Sequence, residues 1–388
     1  ILLSKESTEG SETRDPILIV DTHDVVIRFI RMRRQETNAN GSNDDVFYIS
    51  GGHDIIIDHS SFSWGGDGNF DFANYCCNYT EVRPTEEALY RVTSQYNILG
   101  NTWNSEKNSL VSNGATKISW FRNAYIGSAT RNPAISTPDP GFAPAFDTYY
   151  EMANNFYHDY LNGASFSINE KDNNTYGTIK ANLINNYAQD FKSNEKKYLA
   201  TVETNPQYTA RRWLRASSDE AVQRNMAIYV EGNITPYRPN ENYDEWEIGQ
   251  NGGTSSGNDV MIPEALKSYT KHNTPLVRDN VVLYKSNDIW ANIRDHVGAS
   301  LPVRDSEDIR AISDVDNERS TFLQDVKQKF PTIANGTPRV DTDNDGLPDA
   351  WELKEFGGLY KVSTDLVGNK GYQVSDLLLN DLEWFKNN

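Results

Sequence analysis

Short β-branched or aromatic runs closed by turn residues fill the first 235 residues, and an asparagine repeatedly follows the hydrophobic run. "RVTSQYNIL", "TKISWFRNAYI", "DTYYEMANNFY", "TIKANLINNYA" and "AIYVEGNI" carry it at Asn97, Asn123, Asn155, Asn186 and Asn233. A strand, a turn and an asparagine recurring mostly every roughly 25 to 35 residues is the period of a solenoid. Each coil of a parallel β-helix stacks on the next, so inward asparagines at the bends can hydrogen-bond in a ladder. The competing architecture is an all-β sandwich with polar loops, which calls for paired alternating strands around Asn-Gly turns; such hairpin signals are few here.

The texture changes near residue 238. "YRPNENYDEWEIGQNGGTSSGNDV" is polar and Gly-rich, and "SNDIWANIRDHVGA" then reads as a helix. Ser286 or Asn287 would cap it, Ile289, Ile293 and Val297 share one face, and Gly298 ends it. "SEDIRAISDVDNERSTFLQDVKQ" is a second helical stretch, and "VSDLLLNDLEWF" a terminal amphipathic helix. The expected organisation is a β-helix over 1–275, a helical packing segment over 276–335, and a calcium-loop module with its helix over 336–388.

Charge narrows the partners. With 37 Lys and Arg against 55 Asp and Glu, the 388-residue chain carries a formal charge of −18. That argues against nucleic acid, whose backbone binding needs a basic surface. An acidic polymer would be repelled too, unless divalent cations mediate the contact. The 21 Tyr, 15 Phe and 8 Trp can line a carbohydrate site or simply fill a core. The two cysteines, Cys76 and Cys77, are adjacent and read as thiols, because vicinal pairs bridge poorly. No window approaches the ~18 apolar residues of a membrane span.

The sharpest local motif is Asp341-Thr342-Asp343-Asn344-Asp345-Gly346-Leu347-Pro348-Asp349-Ala350-Trp351-Glu352. Counted from Asp341, it has the order of an EF-hand-like calcium loop. Side-chain oxygens come from Asp341, Asp343, Asp345, Asp349 and Glu352, Gly346 makes the turn, and Leu347 offers its carbonyl. The expected role is a structural clamp, since no nucleophile or base stands nearby.

A second acidic set surrounds the run "DDVFYISGGHDIIIDHSSFSWGGDGNFD". If successive segments are coils, stacked residues lie ~4.8 Å apart. Asp45 would then sit beside Asp67 and Asp71, a costly grouping unless the carboxylates share a hard cation. The same residues also suit ordinary turns, and spacing does not choose between the two.

This run closely resembles the pectate lyases of polysaccharide lyase family 1. The likeness continues through "VVIRFIRMRR", "VTSQYNILG", "KNSLV", "RNPAI", "YEMANNFYHD", "INNY", "YVEGNI" and "LPVRDSEDIRAISDV", with gaps near 188–225 and 240–275. It implies a right-handed parallel β-helix with a C-terminal extension, and cleavage of pectate or a related polyuronate by β-elimination. It also implies Ca²⁺ as cofactor, an acidic polysaccharide as substrate, and a secreted or cell-surface protein. Asp45, Asp67 and Asp71 match the Ca²⁺ ligands. Arg131 matches the arginine that abstracts the C5 proton, and Lys107 the cation that contacts the substrate carboxylate. An arginine base is chemically awkward because its pKa exceeds ~12. It calls for crowding by other cations and an alkaline optimum; otherwise Arg131 is an electrostatic clamp.

Two departures matter. Family members usually carry another arginine shortly after the proline of the "RNP" motif, where this chain has Ala134, Ile135 and Ser136. The segment "ANYCCNYTEVRPTEEALYR", with Arg83 and Arg91, is longer than usual. The resemblance also implies further coils ahead of "PILIV", so a preceding segment or a partner chain is expected over that end of the solenoid. His53, His59 and His158 invite a catalytic reading, but the resemblance treats the Asp58-His59 pair as core or groove-wall structure. The sequons at Asn40, Asn78, Asn173, Asn233 and Asn335 carry little weight in an Asn-rich chain. The alternative to a lyase is a catalytically silent β-helix that binds glycan or serves as an assembly subunit. Glucuronan, alginate and sulfated uronans remain open as substrates.

Overall fold

The computed structural model describes residues 2–3, 17–33, 45–73, 75–76, 81–82, 89–102, 107–128, 130–138, 146–160, 162–167, 170–171, 174–175, 177–189, 212–216, 225–235, 238–246, 271–275, 281–319, 330–332, 337–368 and 371–387. Cys77, Arg83 and the sequons at Asn40, Asn78, Asn173 and Asn335 lie outside the described residues. The chain divides into two compact units, residues 1–300 with 306–330, and residues 301–305 with 331–388.

The first unit is a parallel β-helix. Strand Phe47–Asp58 shows how a coil is made. Its start pairs in parallel with Phe70–Ala73, Phe47 opposite Phe70 and Tyr48 opposite Asp71. Its later part pairs in parallel with Leu89–Gln95, Ile55 opposite Val92 and Asp58 opposite Gln95. One strand therefore serves two faces of the solenoid, bending at Gly51 and Gly52 (φ 78° and 108°). A Cβ on Gly52 would stand 2.2 Å from the Thr22 carbonyl oxygen of the neighbouring coil, so a side chain is sterically barred there. The third face is a row of short parallel strands, Ser61–Ser63, Ile98–Gly100, Ala124–Ile126 and Phe156–His158.

The isoleucine triplet follows the strand period. Ile55 and Ile57 are fully buried, whereas Ile56 is 37% exposed. Inside, like stacks on like at the inter-strand spacing: Phe47 lies 5.3 Å from Phe62 and 5.0 Å from Phe70, and Tyr125 stacks on Tyr157 at 4.8 Å. Each such side chain contributes about 1.5–3 kcal/mol by leaving water.

At the bend before the third face the five periodic asparagines form one ladder. Asn123, Asn155 and Asn186 each donate Nδ2 to Oδ1 of the next rung, at 3.2, 3.0 and 2.8 Å, ending on Asn233. Asn97 joins through its backbone amide, 3.0 Å from Asn123 Oδ1. All five are buried, which places the Asn233 sequon in the interior.

Helices close one side of this unit. The run from 286 enters as a 3-10 turn, Ser286–Asp288, and continues as Ile289–Ile293. Ile289, Ile293 and Val297 pack together with Ile98, Ala124, Ile126 and Phe156. The expected cap is not formed: Ser286 Oγ instead donates to the Gly232 carbonyl, because the 3-10 entry turns that hydroxyl toward the solenoid. Helix Ser306–Asp316 docks by charge, with Asp308 Oδ1 accepting from Arg33 at 2.7 Å and its Oδ2 accepting from Ser61 at 2.6 Å.

The second unit is a small helical module around Leu347, Trp351, Val374, Leu378 and Trp384. Its terminal segment is two helices, Val374–Asn380 and Leu382–Asn387, where the sequence pattern led us to expect one. Asp381 interrupts it; its carboxylate takes the Trp384 amide at 3.0 Å, Trp351 Nε1 at 3.2 Å and Lys354 at 2.8 Å, a role a continuous helix would not permit.

Candidate active site

Four stacked segments converge at the start of one sheet face. The Val46 amide donates to the Gly68 carbonyl at 3.1 Å, the Asn69 amide to the Asn108 carbonyl at 2.6 Å, and the Asn108 amide to the Thr130 carbonyl at 3.1 Å. Lys107 pairs in parallel with Thr130. This register places Asp45, Asp67 with Asp71, Lys107 and Arg131 on neighbouring coils, although they span much of the chain.

Two of the acidic residues are held by backbone amides. Asp45 Oδ1 accepts from the Gly68 amide at 2.7 Å, and Asp71 Oδ1 from the Leu110 amide at 2.7 Å. Gly68 lies between them: a Cβ there would stand 2.6 Å from Asp71 Oδ1 and 2.7 Å from Asp45 Oδ1, so any side chain at this turn would push the two carboxylates from their places. Lys107 Nζ lies 2.7 Å from Asp67 Oδ1, and Arg131 Nη1 lies 3.9 Å from the same oxygen. Asp71 is 5% exposed, while Lys107 and Arg131 keep 34% and 30% of their side chains open to solvent. Arg131 adopts φ 58°, a conformation that non-glycine residues seldom take, at the point where the chain turns into the next strand.

Burial, then the neighbouring Asp45 charge, push the Asp71 carboxyl well above its ordinary range; Asp67 adds to this, while the Leu110 amide and Arg131 pull against it. Such a group strains to lose its charge unless a cation joins it. The three carboxylates are grouped more loosely than a closed metal cage: among the described residues, triads with oxygens all within 4.8 Å occur in the 341–352 loop and not here. The arrangement is an acidic mouth flanked by two cations, one of them paired directly with Asp67. Strand Ala134–Ser136, which follows Pro133, brings no guanidinium.

The histidines stand apart from this chemistry. His59 is buried, with Nδ1 2.6 Å from Asp58 Oδ1 and its ring stacked on Tyr96 at 4.7 Å. His53 stacks between His23 and Tyr90 with Nδ1 2.7 Å from Asp54, and His158 has both ring nitrogens engaged, by Gln189 and the Arg319 carbonyl. Arg91 forms a forked pair with Asp54 on the outer face of the long sheet.

In the second unit, Asp341, Asp343 and Asp345 form one carboxylate triad, and Asp343, Asp349 and Glu352 another, each with oxygens within 4.8 Å. Gly346 turns the loop at φ 91°, and the Leu347 side chain is buried in the local core. Asp341 accepts the amides of Asp345 and Gly346 at 3.2 and 3.0 Å, and Asp349 accepts from Thr342. Glu352 is fully buried, yet neither of its carboxylate oxygens meets a hydrogen-bond donor among the described residues. Burial, followed by the charges of Asp345, Asp343, Asp349 and Asp341, raises its pKa. A buried carboxylate ringed by four others and lacking a donor fits a hard cation on its donor chemistry alone.

No family model matches the chain. It is 25% identical over 364 residues to a probable pectate lyase C of Aspergillus fumigatus, covering 92% of this chain and 72% of that protein. It is 24% identical over 336 residues to a probable pectate lyase C of Aspergillus oryzae, covering 85% and 65%. Among solved structures, a pectate lyase from Bacillus sp. N165 in complex with trigalacturonate covers 71% of this chain and 68% of its own, at 14% identity and a TM-score of 0.40. By sequence the chain is pectate lyase-like.

Proposed function

We propose that the protein is a secreted Ca²⁺-dependent polysaccharide lyase that cleaves pectate, or a closely related polyuronate, by β-elimination. The supporting observation is the meeting of Lys107 and Arg131 at Asp67, beside a buried Asp71 whose charged form burial and the Asp45 charge disfavour.

The reaction removes the proton at C5 of a uronate and breaks the C4–O4 bond, leaving a C4=C5 double bond and a free hydroxyl on the leaving sugar. The difficulty is acidity, since the proton lies next to a carboxylate that is already negative. Asp45, Asp67 and Asp71 would hold a Ca²⁺, which when bound draws charge from that carboxylate and stabilises the enolate-like intermediate. Lys107 adds a second positive charge to the same carboxylate. Arg131 reaches the C5 side and either takes the proton or holds the carbanion's charge; the first role requires an alkaline medium. The 341–352 loop would hold a separate Ca²⁺ as a structural clamp, with Asp341, Asp343, Asp345, Asp349, Glu352 and the Leu347 carbonyl as its ligands.

The missing guanidinium on strand Ala134–Ser136 favours a second reading, a silent β-helix that binds glycan without cleaving it. Incubation with polygalacturonate and Ca²⁺ at alkaline pH separates the two. Chelator-sensitive ultraviolet absorbance from an unsaturated uronate supports the lyase; tight binding with no such product on a panel of uronans supports the scaffold.

A further inference from the structure

A second row of buried asparagines runs directly behind the charged residues. Asn69 Nδ2 donates to Asn108 Oδ1 at 3.1 Å, and Asn108 Nδ2 donates to Asn132 Oδ1 at 2.9 Å. Each is fully buried and tied to backbone as well: Asn69 to the Gly100 carbonyl and the Gly65 amide, Asn108 to the Leu99 carbonyl, Asn132 to the Ser128 carbonyl. The Asn108 carbonyl also takes the amides of Asn69 and Phe70 at 2.6 and 3.1 Å.

Each rung adjoins the site in sequence. Asn108 follows Lys107, Asn132 follows Arg131, and Asn69 stands midway between Asp67 and Asp71. An amide pinned on the inner side fixes the backbone from which the adjacent charged side chain projects outward. Lys107 and Arg131 repel one another, and both approach Asp67 Oδ1, at 2.7 and 3.9 Å. Holding two cations at a set separation needs a scaffold stiffer than a surface turn, and a saturated buried amide chain supplies one.

We infer that Asn69, Asn108 and Asn132 form a positioning ladder that sets where the Lys107 and Arg131 heads stand relative to the acidic mouth. The inference rests on the lyase reading and names positioning residues for it. It differs from a purely structural role in one consequence: losing a rung displaces the cations, whereas losing a rung of the ladder running from Asn97 to Asn233 does not.

The test compares Asn108→Ala with Asn123→Ala in the full chain. On polygalacturonate with Ca²⁺, Asn108→Ala is expected to lose about 10²-fold in kcat at little-changed KM, the cost of a small misplacement of reacting groups. Asn123→Ala is expected to keep its kcat wherever both proteins are folded. If Asn108→Ala does not fold, Asn132→Ala, the last rung among the described residues, should give the same split. Equal kcat in the ladder variant and Asn123→Ala overturns the proposal. A wild-type protein inactive on every polyuronate refutes the lyase reading instead. Crystal structures then decide the ladder: a Lys107 ammonium still 2.7 Å from Asp67 in Asn108→Ala overturns it, and a displaced one upholds it.

Discussion

Lys107 and Asp67 meet at 2.7 Å across neighbouring coils, with a third of the lysine side chain still open to solvent. A pair so exposed contributes only about 0–1 kcal/mol to folding. Its value is therefore positional, a cation held at the rim of an acidic mouth. Lys107→Ala is expected to leave the melting temperature nearly unchanged while lowering kcat about 10²-fold, in the range for removing one charge-stabilising donor. Thermal unfolding and steady-state kinetics on the same preparation check both halves.

Arg131→Ala should cost at least as much. Arg131→Lys is the more informative change, because lysine keeps the charge but loses the planar fork and the very high pKa. If the guanidinium takes the proton, Arg131→Lys shifts the rising limb of the pH–rate profile to lower pH. If it acts as a clamp, the profile keeps its position and only its height falls.

Asp71→Asn separates metal chemistry from stability. Burial and the Asp45 charge raise the Asp71 pKa, so the ionised form is disfavoured in the fold and destabilises it above that raised pKa. Asparagine removes the charge and keeps an oxygen for the Leu110 amide. The metal-free variant is expected to melt at or above the wild-type temperature at neutral pH, with the gain shrinking once pH falls below the raised pKa of the wild-type carboxyl and gone when pH reaches the ordinary carboxylate range. Its Ca²⁺-dependent activity should be lost. Calorimetry in chelator, beside the activity assay, measures the two effects.

Much of the scaffold was legible in the sequence because its period survives in the chain. The first four asparagines of the ladder from Asn97 to Asn233 are 26, 32 and 31 residues apart, so most of the stacking could be counted before it was seen; only the last step, of 47 residues, breaks the period. The ladder behind the site escaped that count. Asn69 and Asn108 are 39 residues apart, and Asn108 and Asn132 only 24, because the loops between these coils differ in length. Lys-Asn-Ser and Arg-Asn-Pro share an asparagine directly after a cation, and Asn69 lies two residues from both Asp67 and Asp71; a charge within two residues of each asparagine is the signal that would have found the ladder. The break at Asp381 between the two terminal helices was hidden for another reason: its partners, Trp351 and Lys354, lie far back in sequence. Asp45, Asp67 and Asp71 were visible as acids, but the amides that hold Asp45 and Asp71 and the cations that meet Asp67 depend on register, which composition does not reveal.

The 341–352 loop should behave as a stabilising element of the second unit. Chelator is expected to lower the unfolding temperature of that unit, read by near-ultraviolet circular dichroism of Trp351 and Trp384. Glu352→Gln should lower it in calcium and leave little further response to chelator, since it removes the buried charge that calls for the ion. A calcium response as large as wild type in Glu352→Gln would place the ion elsewhere.

The most direct measurement is the ultraviolet absorbance of wild-type protein incubated with polygalacturonate at alkaline pH, with Ca²⁺ and then with excess chelator. The account predicts steady formation of an unsaturated uronate that stops on chelation, resumes when Ca²⁺ is restored, and is abolished in Arg131→Ala of unchanged fold. Product formation that persists undiminished in Arg131→Ala, or folded protein that binds the polymer and never yields the unsaturated product, would contradict it.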